Sequence, residues 1–494
     1  MTRPERLLSI AQPLVFTAAV LLSRFAGIAT TPGALIRPLI VGVAISGVTL
    51  VIARVLVRDW NWAALVSSLF ILVTLREALP AGVLAGFVIW WLVIAFVRGR
   101  SGRRPLPAGT PAFVARASGI YSLAFLGIAA WGGWAASTSQ PQVDIPAYSA
   151  PGVGGPNIYL LLLDGYPRAD TLRLFGIDNE PFIHSLEDVG FNVSDNARSN
   201  YNKTWLTMAS FLNGAYIEDL LVGDEIPADD AGQIRWLHSL MNEGSFIDLL
   251  RRRGYTIRTI PPPITSAALT AADDYVDNGH LTEFEASILW SSPWSTLFRD
   301  QVTPFFLSSV EATVTDGLAT TVRFATTDRK TPQFVLSHVH SPHPPFALHA
   351  PGATAPAAME CFPATCSLWQ STIGELSISR DQYRAALTGQ IQELDAAVLR
   401  VVRQMAEADP DAVIILMSDH GLRYSLEDRS EQFRSFLAVR SPGVESLFAD
   451  DESPVNILRN AAAAYFGADL EALPYRAWWS DWAFTLRLTP FQPD

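Results

Sequence analysis

The sequence predicts two joined parts: an N-terminal polytopic α-helical membrane domain, and a C-terminal α/β domain in which helices sandwich a mainly parallel sheet. Three observations carry this. Apolar residues crowd the first quarter of a 494-residue chain whose mean hydropathy is +0.21. Beyond residue 157, apolar strand-like runs alternate with helix-like segments, the order that builds parallel sheets. Two of these runs, Ile158 to Leu163 and Ala412 to Met417, end in Asp164-Gly165 and Ser418-Asp419-His420-Gly421. Ligand sites in open α/β sheets lie beyond the carboxyl ends of the strands, so the two acidic ends point to one shared site.

Five stretches in the first part are candidates to span a bilayer: Leu8 to Leu22, Leu39 to Val57, Trp60 to Leu75, Ala81 to Val97 and Gly119 to Ala136. Each approaches the roughly 17–25 residues that a spanning helix needs. Arginine placement fixes the number. Arg3 and Arg6 precede the first span, Arg54 and Arg58 follow the second, and Arg98, Arg100, Arg103, Arg104 and Arg116 lie between the fourth and fifth. With five spans all three clusters are cytoplasmic, and the chain after residue 136 is exported. Without the third span, the densest cluster would face outward. A cleaved signal peptide explains none of the later spans.

Residues 1–140 hold 12 arginines and 3 acids, a net of +9; the rest holds 24 basic and 45 acidic residues, a net of −21. So acidic an exported domain argues against nucleic acid as a partner, because phosphate backbones need basic surfaces. The only cysteines, Cys361 and Cys366, enclose four residues in the exported part. An oxidising compartment permits a disulfide between them, with two free thiols as the alternative; a zinc site would want further ligands at the right spacing.

Residues 137–156 are rich in Ser, Pro, Gly and Gln and read as a linker. From 157 to 494 the expected elements are strand 158–163, helices 180–189, 205–213 and 245–253, strands 255–260 and 333–339, a long helix 380–408, strands 412–418 and 435–440, and helix 454–466. The stretch from Pro263 to Asp328, with Trp290 and Trp294 flanking Ser-Ser-Pro, gives weak signals and reads as an inserted lobe or a surface near the membrane.

Two further segments carry chemistry. Ser199-Asn200-Tyr201-Asn202-Lys203-Thr204 places a hydroxyl at the start of a helix, where unpaired N–H groups favour an anion and a nearby metal would activate a nucleophile. An ordinary N-cap is the competing reading of Thr204. Lys203 and Lys330 are the only lysines among 36 basic residues. Lys203, next to that hydroxyl, is either a phosphate-holding cation or a chance surface residue. The second segment is Ser337-His338-Val339-His340-Ser341-Pro342-His343-Pro344-Pro345-Phe346, with three of the eight histidines. His338 and His340 would share one face of a strand, with His343 in the turn beyond. Such imidazoles can bind phosphoryl oxygens or protonate a departing oxygen, and a structural role is expected for at least one.

Asp164-Gly165, the Ser-Asn-Tyr-x-x-Thr segment, His338 with Ser-Pro-His343-Pro-Pro-Phe, and Ser418-Asp419-His420-Gly421 together resemble the sulfatase-like branch of the alkaline phosphatase superfamily. In form, the chain is similar to membrane-anchored lipoteichoic acid synthases and lipid A phosphoethanolamine transferases. The resemblance covers about residues 157–467 and implies an alkaline phosphatase-like αβα domain. It implies Asp164, Thr204, Asp419 and His420 as ligands of one divalent metal and Thr204 as nucleophile. His343 and His338 would contact the transferred group, with Lys203, Asn200 and His340 as substrate-binding candidates. The named transferases use Glu where Asp164 stands, which leaves metal preference open, and Lys203 departs from the family pattern. Neither cysteine lies in a C/S-x-P-x-R segment and no histidine follows His420, which argues against a formylglycine sulfatase and a two-metal phosphatase.

The expected activity is transfer of a phospho-linked head group, phosphoglycerol or phosphoethanolamine, from a membrane phospholipid through a covalent Thr204 intermediate to a cell-envelope glycan or lipid. Mn2+ is the expected metal, with Mg2+, Zn2+ or Ca2+ as alternatives. Hydrolysis with water as acceptor is the second reading, and a non-catalytic anion-binding membrane receptor the third. Arginine and alanine usage suggests a GC-rich bacterial gene, so the expected location is the bacterial cytoplasmic membrane.

Overall fold

The computed structural model describes residues 3–26, 31–75, 143–221, 226–327, 330–348, 380–423, 429–481 and 483–493, with positions 120, 123 and 127 besides. The fourth expected span, nearly all of the fifth, the basic cluster between them, and both Cys361 and Cys366 lie outside those residues. The chain divides into one unit of residues 1–139 with 282–306, and a second of 140–281 with 307–494.

In the first unit, the helices Arg3–Ala26, Gly33–Val57 and Trp60–Leu75 fall on the first three expected spans. Gly33–Val57 is long and apolar enough to cross a membrane, while Ser9–Phe25 and Trp60–Leu75 are shorter apolar helices. Small residues let the helices approach: Ala53, Ala63 and Ala64 pack with Leu50. Hydroxyls bridge between them, with Thr49 Oγ1 2.8 Å from Ser67 Oγ and Ser68 Oγ donating to Gln12 Oε1 at 3.1 Å. The other side of Gly33–Val57 is open, with Ile40, Val48, Val51 and Val55 exposed.

The stretch left unassigned by sequence is largely helical. Glu283–Ser291 starts with a capping box between Thr282 and Glu285, and is followed by Pro293–Leu297 and the 28-residue helix Arg299–Thr326. Pro304, Gly317 and a run of Thr and Val lower the local helix propensity of the last. Tertiary packing overrides it: Val314, Leu318 and Phe324 join Ile260 in one core.

The second unit is built on a seven-stranded sheet. Its strands are β1 Ile158–Leu163, β2 Asn192–Val193, β3 Thr256–Ile260, β4 Asp274–Tyr275, β5 Gln333–Val339, β6 Val413–Met417 and β7 Leu437–Arg440, in the order β2-β7-β6-β1-β5-β3-β4. Strands β6, β1, β5, β3 and β4 run parallel, while β7 and β2 are antiparallel at one edge. Strand β1 is buried along its length, and its alternate residues serve two cores. Ile158, Leu160 and Leu162 meet Met208, Phe211, Phe246 and Val455 on one face. Tyr159, Leu161 and Leu163 meet Leu387, Ile391, Leu394 and Val398 of the helix Arg380–Ala408 on the other. This is the expected αβα sandwich. Sequence pattern alone did not reveal the C-terminal hairpin of β8 Ala477–Ser480 and β9 Leu488–Phe491.

Candidate active site

The register delivers the site. Strand β1 is flanked by β5 and β6, with Leu162 level with both His338 and Met417, so the residues just beyond three adjacent strands meet at one carboxyl edge. Asp164 N donates to Val339 O at 3.0 Å, and His343 N donates back to Asp164 O at 3.0 Å. Gly165 adopts φ +72°, and a Cβ there would lie 3.2 Å from His420 Cε1. Gly421 is under a harder constraint: a Cβ would fall 2.1 Å from the carbonyl oxygen of Glu431 and 2.6 Å from that of Arg434.

Asp164, Asp419 and His420 are all buried, with one ligand atom from each inside a 4.8 Å cluster. His420 Nδ1 donates to its neighbour's carbonyl, Gly421 O, at 2.8 Å. Its Nε2 therefore presents a lone pair 3.6 Å from Asp164 Oδ1 and 3.4 Å from Asp419 Oδ2. Burial, then the positive charge of Arg423, lowers the pKa of His420 and keeps the ring neutral. Asp164 Oδ1, Asp419 Oδ2 and His420 Nε2 have no hydrogen-bond partner among the described residues. Three buried acceptor atoms facing one another without a donor suit a divalent cation, so the residues fit the metal that the resemblance implies.

His338 and His340 share a face as expected and converge on one oxygen: His338 Nε2 is 3.3 Å and His340 Nδ1 3.1 Å from Asp164 Oδ2. Burial opposes ionisation of Asp164, but the favourable interaction with the His343 ring and the bonds from His338 and His340 outweigh it and hold the carboxyl well below its ordinary range. His343 stacks on His340 with ring centroids 4.5 Å apart and donates from Nδ1 to Pro344 O at 2.6 Å. Burial pushes it down to about 3, so near neutral pH it is an uncharged imidazole. Gln390, from the long helix, pins this turn by donating to Ser341 Oγ at 2.8 Å and accepting from Leu348 N at 2.8 Å.

Thr204 is the first residue of the helix Thr204–Asn213; the N-cap is Lys203, and no side-chain cap bond is formed. The N-cap reading of Thr204 thus fails, and its buried hydroxyl is left for other work. One turn on, Thr207 Oγ1 donates to Asp419 O at 2.9 Å, fastening this helix to the loop that carries Asp419 and His420. The segment before it is held by the C-terminal hairpin. Asn200 Nδ2 donates to Arg476 O at 2.9 Å and Asn200 Oδ1 accepts from Val455 N. Asn202 Oδ1 accepts from Ser480 N, and Lys203 Nζ donates to Asp481 O at 2.7 Å and Thr485 Oγ1 at 3.0 Å. Asn200 and Lys203 are therefore committed to scaffold bonds beside the site, whereas His338, His340 and His343 sit with the carboxylates.

Arg423 escaped the sequence reading. It is fully buried, donates to Asn202 O at 2.7 Å, and its charge acts on Asp164 and Asp419, while burial pushes its own pKa down to about 10. Its one sequence signal is its place two residues beyond Asp-His-Gly.

Fold and site together define an alkaline phosphatase-like α/β domain with a buried Asp-Asp-His group at the carboxyl edge of its sheet. The chain belongs to the Sulfatase family of enzymes, whose model matches residues 156–438. Structurally, it is similar to the C-terminal periplasmic domain of EcEptC from Escherichia coli, at 10% identity over 70% of this chain and 97% of that one, with a TM-score of 0.44. It is also similar to the integral membrane protein lipooligosaccharide phosphoethanolamine transferase A (EptA) from Neisseria meningitidis, at 14% identity over 94% and 79% of the two chains, with a TM-score of 0.40. A third likeness is the phosphonate monoester hydrolase SpPMH from Silicibacter pomeroyi, at 16% identity over 64% and 74%, with a TM-score of 0.37. Comparison with curated proteins gives no match.

Proposed function

We propose that this protein is a membrane-anchored transferase that moves a phospho-linked head group from a phospholipid to an envelope glycan or lipid by way of Thr204. The observation that carries the reading is the trio of unpartnered buried atoms, Asp164 Oδ1, Asp419 Oδ2 and His420 Nε2, beside a helix that begins with an uncapped threonine. Asp164, Asp419 and His420, joined by Thr204, would hold one divalent ion, Mn2+ by preference over Mg2+, Zn2+ or Ca2+. When bound, that ion supplies positive charge that lowers the hydroxyl's pKa and offsets charge developing on phosphoryl oxygens.

The chain's own residues do the rest. Thr204 Oγ attacks phosphorus, the Oγ–P bond forms, and the P–O bond to the lipid alcohol breaks. The proton lost by Thr204 ends on the departing oxygen, while the uncharged His343, with His338, would contact the transferred group. In the second half an acceptor hydroxyl attacks phosphorus, the Thr204 Oγ–P bond breaks, and the acceptor's proton returns to Thr204. His338 and His340 hold Asp164 ionised and oriented through its other oxygen. Arg423 offsets part of the two carboxylates' charge, which lets an anionic substrate approach an acidic domain.

The membrane reading rests on the apolar helix Gly33–Val57 and its exposed stripe, with the catalytic part placed outside the cytoplasmic membrane by the arginine distribution. The test uses full-length protein in vesicles of phosphatidylethanolamine and phosphatidylglycerol, loaded with Mn2+, followed by intact mass and peptide mapping. A mass gain on Thr204 supports transfer and identifies the head group. Release of diacylglycerol with no adduct and no need for an acceptor would favour hydrolysis instead. Metal-loaded protein with neither product would leave only the receptor reading.

A further inference from the structure

We propose that residues 293–306, an excursion out of the catalytic unit, form a foot that lies in the membrane–water interface with Leu297, Phe298 and Phe305 in contact with lipid. The proposal rests on the membrane reading above and adds a second, interfacial attachment to it.

The segment leaves the catalytic unit at Leu281, returns to it at Leu307, and between those points groups with the N-terminal helices. Its partners there are specific. Trp294 Nε1 donates to Thr74 Oγ1 at 3.1 Å, and Ser291 Oγ accepts from Arg24 at 2.8 Å. Glu285 pairs with Arg37, and Phe25 meets Phe284 edge to face with ring centroids 5.7 Å apart. Ile288 packs on Leu21, Ile71 and Leu75. All these partners belong to one end of the bundle: the close of the first helix, the start of the second and the close of the third. Arg54 and Arg58 lie at the other end of the second helix. If those arginines face the cytoplasm, the docked end is the outer one, the side on which the arginine distribution places the catalytic domain.

An aromatic row then runs outward from the bundle. Phe70 and Trp294 have ring centroids 5.6 Å apart, and Trp294 and Phe298 6.1 Å apart. Beyond it Leu297, Phe298 and Phe305 are 51%, 52% and 58% exposed. Three large apolar side chains this open are costly in water. Gly33–Val57 presents an exposed apolar stripe of its own, formed by Ile36, Ile40, Val48 and Val55, whose natural occupant is lipid. Aromatic residues near the ends of spanning helices are at home where headgroups meet acyl chains. The shared occupant of both surfaces is the bilayer.

The test places a fluorescent amino acid at position 298 or 305 of the full-length protein in phosphatidylethanolamine and phosphatidylglycerol vesicles containing lipids spin-labelled on the acyl chain. The same label at Val48 reports the spanning helix, and at Leu174, exposed in the catalytic unit, reports solvent. Quenching at 298 and 305 is expected to be several-fold above that at 174 and to approach that at 48. Quenching at 298 and 305 no greater than at 174, with 48 strongly quenched, would overturn the foot and leave the membrane reading intact. No quenching at 48 would remove both. Position 297 gives the same readout if either phenylalanine replacement yields no protein.

Discussion

His420 turns Nδ1 to the carbonyl of Gly421 and so presents a bare Nε2 to Asp164 Oδ1, 3.6 Å away. Two lone pairs facing each other in a buried space repel, and neither group carries a proton to relieve it, because Asp164 is held ionised and His420 neutral. A cation between them removes the conflict. Asp419→Asn and His420→Ala should each lower metal affinity by more than about 100-fold, since even outer partners of metal ligands are worth 10–100-fold. Metal content of the purified full-length protein checks this without any assay of turnover. Unchanged stoichiometry in both variants would count against the site.

Thr204→Ala should leave the fold and metal content intact, because the side chain forms no cap bond. It should cut turnover by about three orders of magnitude or more. Retained turnover would remove Thr204 as the nucleophile under either acceptor.

Gly421→Ala tests the scaffold. The added Cβ would sit 2.1 Å from a backbone oxygen, with no flexible side chain to move aside. A loss of about 3 kcal/mol or more of stability is expected, read as a fall in the thermal midpoint in detergent together with loss of bound metal.

Lys203→Met separates scaffold from substrate contact. Removing the ammonium takes one donor each from Asp481 O and Thr485 Oγ1, a cost of about 1–3 kcal/mol. The stability curve should therefore drop while KM for the lipid donor is maintained. A rise in KM at unchanged stability would return Lys203 to the substrate.

Asp395 and Glu218 are predicted to make stability depend on pH. Burial pushes each up to about 7, against the hydrogen bonds that Tyr166 and Tyr201 donate to them. Each folded-state carboxyl keeps its proton up to about pH 7, whereas in the unfolded chain it is lost near pH 4. The folded state thus binds more protons between those values, and this contribution to stability falls as pH rises through the window and levels off above it. Asp395→Asn should flatten the slope of the denaturation midpoint against pH between 4 and 7.

Much of the candidate site was legible because its acidic and histidine side chains sit where apolar runs stop. Asp164 and Asp419-His420 end buried strands, and the His338/His340 alternation gave their shared face. What escaped depended on tertiary contact. Arg423 carries no signal beyond its place after Asp-His-Gly, and Asn200 and Lys203 look chemical until the β8–β9 hairpin, itself unseen, is found to hold them. Arg299–Thr326 is helical despite its Pro, Gly and β-branched content because Val314 and Leu318 are buried against the core.

The central place of β1 has a consequence for how this chain can change. Asp164, the histidines in and just after β5 and the Asp-His pair after β6 are brought together by the ladders of three neighbouring strands, not by the long excursions that link them. Those excursions can lengthen at a cost that grows only with the logarithm of their length, so the peptide between Asp164 and His338 is free to acquire or shed whole attachments while the chemistry stays in register. The segment docked on the helical bundle is one such attachment. What the chain is attached to and what its catalytic edge does are thus separately adjustable traits of the same polypeptide.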